Sequence, residues 1–333
     1  MKPYAYQCKD YSLLTPVFKK IFVEPVIGFI PWAMPANIIT IISNCFFYLS
    51  LYLSFDLQLL GKATLPLIAL GLLLYLIGDH LDGAQAKRTK TGSALGEFCD
   101  HYLDAFNNGI LMLILFNIYE VTNPYLIVIV LVTSYWAHVV VFYEQFKTGW
   151  LIFEKMGSLE GVLLSVLFIS LSAYDPIYNL FMTEVAFGFT VMEVNLILIV
   201  LGAIMTFAVT IKRTPNVRYS IWMYVVIVTL IGYIGMNLFS IAGLTAIITL
   251  YSSLYLGKIM MGHLIDGIER SPGLFTPLFL IIIFGIPSLY EGNTWIVLAA
   301  YLSISIILLV YRTFQSLGQY WVWANPRIEN EKS

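Results

Sequence analysis

Charge is what this chain has least of. Of its 333 residues, 11% are Asp, Glu, Lys or Arg, against 59% hydrophobic. A soluble domain carries roughly 25% charged residues, so the shortage argues for a polytopic membrane protein. A mean hydropathy of +0.82 agrees. Cysteine is scarce as well: Cys8, Cys45 and Cys99 lie far apart, with no CxxC and no His-rich tract. That excludes a disulfide framework and a cysteine-type zinc site. The first ten residues are polar and lack the apolar core of a signal peptide. No Arg-rich voltage-sensor helix, filter-like glycine motif or convincing internal repeat is present, which weighs against channels and inverted-repeat transporters. The net charge is −2, and no nucleic-acid partner is expected.

What the chain does have is a series of long apolar runs. Spans are expected near 38–55, 63–80, 102–118, 124–142, 160–174, 186–210, 219–237, 240–258, 273–289 and 294–311. Each approaches the ~17–25 residues that a helix needs to cross the hydrocarbon core, the 160–174 run being the shortest. Runs so continuously apolar exclude a transmembrane barrel. With the N-terminus placed in the cytoplasm, Lys62 is the one basic residue that falls on the far side, so charge placement supports this topology. Before the first span, Val17, Phe18, Ile21 and Phe22 cluster beside Lys19 and Lys20, the pattern of a helix lying in the membrane interface. The expected fold is therefore all-α: about ten transmembrane helices preceded by an interfacial amphipathic helix.

Against this background one stretch, 79–104, is densely ionisable. It holds Asp79, Asp82, Glu97, Asp100, His101 and Asp104. Such groups beside bilayer-length apolar segments are costly, and point to a functional site. Asp79 and Asp82 are three apart, Asp100 and Asp104 four apart, so each pair shares a helix face. Two carboxylate pairs on two helices can cage one or two hard cations, and oxygen-only ligation suits Mg²⁺ or Mn²⁺. Gly83, Ala86, Gly92 and Gly96 remove side-chain bulk between the pairs, while Lys87, Arg88 and Lys90 supply positive charge for phosphate. The pattern suggests metal-assisted phosphoryl transfer. Its structural alternative is a helix-end charge network, which the coincidence of several fixed spacings disfavours.

These spacings resemble the signature of the CDP-alcohol phosphotransferase family, D-x2-D-G-x2-A-R-x8-G-x3-D-x3-D. Asp79, Asp82, Gly83, Ala86, Gly96, Asp100 and Asp104 all match; Lys87 stands where the family has arginine, followed by Arg88. Tyr4, Tyr6, Asp10 and Ser12-Leu13-Leu14, then Pro35, Asn37 and Thr40, are similar to the start of the cholinephosphotransferase and ethanolaminephosphotransferase branch. So are Leu95-Gly96-Glu97 with Asp100-His101, and later Tyr143-Glu144 and Ser158 with Glu160.

The resemblance implies transfer of phosphocholine or phosphoethanolamine from a CDP-alcohol donor to a lipid acceptor in the bilayer, with diacylglycerol the expected one, and release of CMP. It implies two divalent ions held by Asp79, Asp82, Asp100 and Asp104. A CDP site would be lined by Gly83, Ala86, Lys87 and Gly96, with Arg88 able to compensate at Lys87. Asn37 is a further CDP contact, or simply a helix cap. His101 is the expected general base with Glu97 as its partner, Asp104 being the competing base. Glu144 and Glu160 either shape a head-group pocket or are solvated, and His263, Asp266, Glu269 and Arg270 read as a loop network. The domain plan follows: a cytoplasmic arm at 1–36, a six-helix catalytic core at 37–212, and four further helices with a short tail at 213–333. A homodimer is implied by the family. The site is expected to face the cytoplasm, in the ER/Golgi or a bacterial inner membrane. The alternatives are a CDP-diacylglycerol-dependent enzyme acting on a soluble alcohol, and a metal-ion or solute transporter.

Overall fold

A computed structural model of the chain describes residues 6–286 and 294–317. Tyr4, the tail after 317 and the last residues of the 273–289 run lie outside them. In chain order come β1 (Cys8–Asp10), α1 (Thr15–Phe18), a π-helical turn (Lys19–Val23), α2 (Glu24–Ile27), α3 (Ala36–Ser54) and α4 (Thr64–Thr89). Next are α5 (Ala94–Ile118), α6 (Pro124–Thr148), β2 (Leu151–Phe153), α7 (Ser158–Leu171), α8 (Asp175–Phe181), β3 (Glu184–Ala186) and β4 (Phe189–Thr190). The remaining elements are α9 (Val191–Arg213), α10 (Tyr219–Gly235), α11 (Ile241–Met261) running into a π-turn (Gly262–Asp266), α12 (Phe275–Gly285) and α13 (Thr294–Leu317). The strands form two minor two-stranded sheets, β1 with β2 and β3 with β4.

A helix lies over each of the ten expected stretches. Among the described residues, six helical segments are long and apolar enough to cross a bilayer: α3, α4 with its preceding turn, α6, α9, α11 with its π-turn, and α13. The protein is thus an all-α, multi-pass membrane protein. Helices α7, α10 and α12 are apolar but shorter, and α5 carries Glu97, Asp100, His101 and Asp104 in its first turns. Caps define several ends. Asn123 accepts from the backbone N–H of Tyr125 and Leu126 at the start of α6, ahead of Pro124, and Gly149 at φ +79° ends that helix. Thr190 and Glu193 form a capping box on α9.

The chain divides into two compact units. The first comprises, of the described residues, 6–103, 152–180 and 314–317. Its backbone is the α3–α4 pair, which meets along a seam of small residues. A Cβ at Gly71 would lie 2.2 Å from Ser50 Oγ, and one at Gly78 would lie 2.3 Å from Ser43 Cβ. Ser50 also donates to the Ile68 carbonyl of α4 at 3.0 Å. In lipid no hydrophobic force draws helices together, so such close approach, with its van der Waals and hydrogen-bond gain, is what holds the pair. The arm packs on α4 through Phe18 and Val23, both buried, with Phe18 edge-on to His80 at 5.1 Å. The expected one-sided apolar cluster is therefore split: Val17 and Ile21 point outward, beside the exposed Lys19 and Lys20.

The second unit comprises, of the described residues, 104–151, 181–286 and 294–313. There α6 packs against α9, α10 and α11. A Cβ at Gly232 would approach Val128 and Val132 of α6 at 2.9 and 3.0 Å. Glu144, fully buried, receives Arg213 through Nε at 2.5 Å and a terminal nitrogen at 2.7 Å. Glu269 gathers Lys147, Tyr143, Ser220 and Arg218, and Arg270 pairs with Asp266. These last residues form the loop network read from the sequence.

Candidate functional site

Helix α4 ends at Lys90, which adopts a left-handed conformation at φ +59°, with Thr91 N–H closing onto the Ala86 carbonyl at 3.0 Å. After residues 91–93, α5 begins. Ser93 Oγ accepts from the Gly96 N–H and its carbonyl from the Glu97 N–H, both at 3.0 Å. This tight link turns the acidic end of α4 directly into the acidic start of α5, where anionic side chains also gain from the helix N-terminus.

Carboxylate oxygens of Asp79, Asp100 and Asp104 lie within 4.8 Å of one another. Asp104 lies one turn beyond Asp100 on the same helix, α5. Three carboxylates this close repel unless a cation compensates them. The set is all oxygen, half-buried and convergent, and can hold a hard divalent ion.

Asp82 stands apart from that trio. It is buried, and its Oδ2 accepts from Thr40 Oγ1 of α3 at 2.5 Å. Thr40 is a site residue that spacing did not identify, although it lies in the 35–40 segment already singled out.

His101 and Glu97 are both buried, one turn apart on α5. His101 Nδ1 lies 3.9 Å from Asp100 Oδ2, and Nε2 lies 3.4 Å from the Tyr6 hydroxyl. The Tyr6 and His101 rings stack at 6.0 Å between centroids. Burial first, then the neighbouring Cys8 and the negative charge of Asp100 and Glu97, pushes the Tyr6 phenol above its ordinary range, so it stays protonated. Tyr6 is the second residue that no spacing argument could place here. His80 sits at the edge, its Nδ1 3.1 Å from the Leu76 carbonyl and 3.4 Å from Asp79.

Among the expected nucleotide contacts, a Cβ built at Gly83 meets no atom within 4 Å, and Lys87 is exposed. The glycine thus leaves open space beside the acids. A Cβ on Gly96 would lie 3.4 Å from Asn37 Oδ1, so these two expected contacts are neighbours. Ala86 is half-buried on the same turn as Lys87. Arg88 has other partners: it donates to the Ile27 carbonyl at 2.6 Å, the Ile30 carbonyl at 2.7 Å and Gln85 Oε1 at 2.5 Å, and lies 4.6 Å over the Trp32 ring. Gln85 in turn donates to the Pro31 and Met34 carbonyls. Neither Glu144 nor Glu160 is solvated: Glu144 is paired with Arg213, and Glu160 accepts from Ser12, Leu14 and Gly157.

Residues 33–192 match the family model described as CDP-alcohol phosphatidyltransferase. The matched stretch, just under half of the chain, contains the whole acidic cluster and the Thr40 and Asn37 positions of α3. Among relatives, the chain is 28% identical to cholinephosphotransferase 1 of Saccharomyces cerevisiae over 237 residues, 66% of this chain and 59% of that protein. Choline/ethanolaminephosphotransferase 1 of the same yeast is 28% identical over 240 residues, again 66% and 59%. Choline/ethanolaminephosphotransferase 2 of Arabidopsis thaliana is 34% identical over 110 residues, 32% of this chain and 28% of that protein. The chain thus spans less than two thirds of the length of the curated relatives it matches.

Proposed function

We propose that the protein transfers phosphocholine or phosphoethanolamine from a CDP-alcohol to a lipid hydroxyl, diacylglycerol first among acceptors, and releases CMP. The observation that carries this reading is the convergence of Asp79, Asp100 and Asp104 beside the buried His101, inside the stretch that matches the phosphatidyltransferase family model. The named activities of its relatives point the same way.

On this reading Asp79, Asp82, Asp100 and Asp104 hold two divalent ions, Mg²⁺ or Mn²⁺. When bound, these supply positive charge that neutralises the donor's diphosphate. Gly83, Ala86, Gly96 and Asn37 line the nucleotide site, with Lys87 offering an ammonium to phosphate. His101 takes the proton of the acceptor hydroxyl, with Glu97 orienting its ring and Asp104 as the competing base. The acceptor oxygen forms a bond to the β-phosphorus, the bond from that phosphorus to the bridging oxygen breaks, and the electron pair leaves with CMP. Ten helices cross the bilayer, the arm at 1–36 lies in its interface on Val17 and Ile21, and the basic loops and the site face the cytoplasm. The working form is a homodimer.

The test is direct. Purified protein with Mg²⁺ and diacylglycerol is given labelled CDP-choline, CDP-ethanolamine or CDP-diacylglycerol, the last with a soluble alcohol, and CMP and lipid product are followed. CMP release from CDP-choline or CDP-ethanolamine is expected. No CMP from any donor overturns the enzyme reading, and CMP from CDP-diacylglycerol alone overturns the choice of donor.

A further inference from the structure

The N-terminal arm does more than precede the first long helix. Within the first unit it is fastened at residues 11–15 and ends on the imidazole of His101. The fastening is polar and specific. Tyr11 N–H donates to the Phe153 carbonyl at 3.0 Å and Leu13 N–H to the Lys155 carbonyl at 3.3 Å, extending the β1–β2 pairing. Ser12 Oγ lies 2.5 Å from Glu160 Oε1, and Leu14 N–H donates to the same oxygen at 3.2 Å. The other oxygen, Oε2, accepts from Gly157 N–H at 2.8 Å. Thr15 donates to Ser12 Oγ through both its N–H and its hydroxyl, at 3.0 and 2.8 Å. Glu160 is 4% exposed, and each of its carboxylate oxygens is engaged. A buried carboxylate retained with such a donor set holds the conformation of the groups it binds.

From that anchor, residues 6–10 run to α5, where Tyr6 lies flat against His101 with its hydroxyl 3.4 Å from Nε2. The opposite ring nitrogen, Nδ1, is the one that faces Asp100, 3.9 Å away. Which nitrogen of an imidazole carries its lone pair is set by the bond the other makes. The Tyr6 hydroxyl occupies Nε2, as acceptor or donor according to the tautomer, and so leaves Nδ1 as the nitrogen on the side of the acidic cluster.

We infer that Tyr6 is a positioning residue for His101, and that Glu160, through Ser12 and Leu14, is the anchor that keeps Tyr6 in place. The inference rests on the proposed role of His101. Tyr6 fixes the ring's plane and occupies Nε2 from outside α5, while Glu97 acts from within the helix. Residues 148 positions apart in sequence, Ser12 and Glu160, thereby serve one side chain of the site.

The experiment uses the full chain in detergent with CDP-choline and diacylglycerol, and compares Tyr6→Phe, Glu160→Gln, their double variant and His101→Ala with wild type. Tyr6→Phe keeps the ring and removes the hydroxyl. It is expected to lower kcat roughly three- to tenfold, the size of one lost hydrogen bond, with the KM for CDP-choline kept within about twofold. Glu160→Gln should lower kcat in the same way. The double variant should be no worse than the poorer single one, because the two act through one path. His101→Ala should lower kcat by about a hundredfold or more while donor binding is kept. Wild-type kcat in Tyr6→Phe overturns the inference, as does a rise in KM at unchanged kcat. Full multiplicativity of the two single losses overturns the anchoring part. Near-normal kcat in His101→Ala instead removes the base reading, a result distinct from the failure of Tyr6. Thermal unfolding of each variant checks that it folds; if Glu160→Gln does not, Ser12→Ala takes its place in the cycle with the same expectations.

Discussion

The Thr40 hydroxyl of α3 lies 2.5 Å from Oδ2 of Asp82 on α4, and both residues are buried. One member of the acidic signature is therefore held by a side chain 42 residues earlier, on the helix that α4 packs against. Removing that hydroxyl leaves a buried carboxylate one donor short. Thr40→Val should cost about 1–3 kcal/mol of stability, measured as a lower Tm in detergent, and should lower turnover as well. Thr40→Ser, which keeps the hydroxyl, should stay near wild type in both.

Asp100 lies at the centre of the candidate metal site, converging with Asp79 and Asp104 and adjoining His101. Asp100→Asn keeps the shape and removes the charge. Turnover should fall by roughly a thousandfold or more. Chelation of wild-type protein with EDTA should do the same, and Mg²⁺ or Mn²⁺ should restore it. Undiminished turnover in EDTA would refute a divalent-ion requirement.

The α3–α4 seam allows a test of packing, read through stability. A Cβ at Gly78 would lie 2.3 Å from Ser43 Cβ, with Asp79 the next residue in the chain. Gly78→Ala should force the helices apart at about 1–3 kcal/mol, again read as Tm. Ser43→Gly in the same chain removes the opposing atom and should restore part of the loss. Additive losses would show that the two residues do not meet.

Glu269 provides a test by pH. Burial opposes its ionisation, but Lys147, Ser220 and Tyr143 outweigh that and hold its carboxyl below the ordinary value of 4.5. A depressed folded-state value means the network's stabilisation is fully present above about pH 4.5 and is lost as pH falls through the folded value. Wild type should therefore exceed Glu269→Gln in Tm at pH 7, and the gap should close as the medium is acidified below 4.5. A gap independent of pH would show that the charge contributes nothing.

The acidic pattern was legible in part because local spacing fixes it: a four-residue interval places Asp100 and Asp104 on one face of α5 whatever surrounds them, while the approach of Asp79 on α4 is set by how the chain turns between the helices. The apolar runs were legible as helices for the same reason. Their extent was less so: α7 with 14 residues and α12 with 11 are shorter than the runs read from the sequence. What periodicity could not reveal are contacts made across the fold. Arg88 looked like a phosphate ligand because it follows Lys87, yet it binds the carbonyls of Ile27 and Ile30. Glu160 had two readings, head-group pocket or solvated side chain, and the fold instead gives it Ser12. Thr40 and Tyr6 lay within segments already noted, but their partners are chosen by packing between distant elements.

The engagement of Arg88 has a bearing on ionic strength. Of the three cations at 87–90, it is the one tied to backbone carbonyls and to Trp32, which leaves the exposed Lys87 and Lys90 as the pair available to the diphosphate of the proposed donor. Two solvated ammonium groups attract from a distance but grip without the planar fork of a guanidinium. Their attraction is screened over about 8–10 Å in ordinary buffer. Donor capture at this membrane face should then weaken steadily as salt is added, while the arm that Arg88 clamps stays where it is.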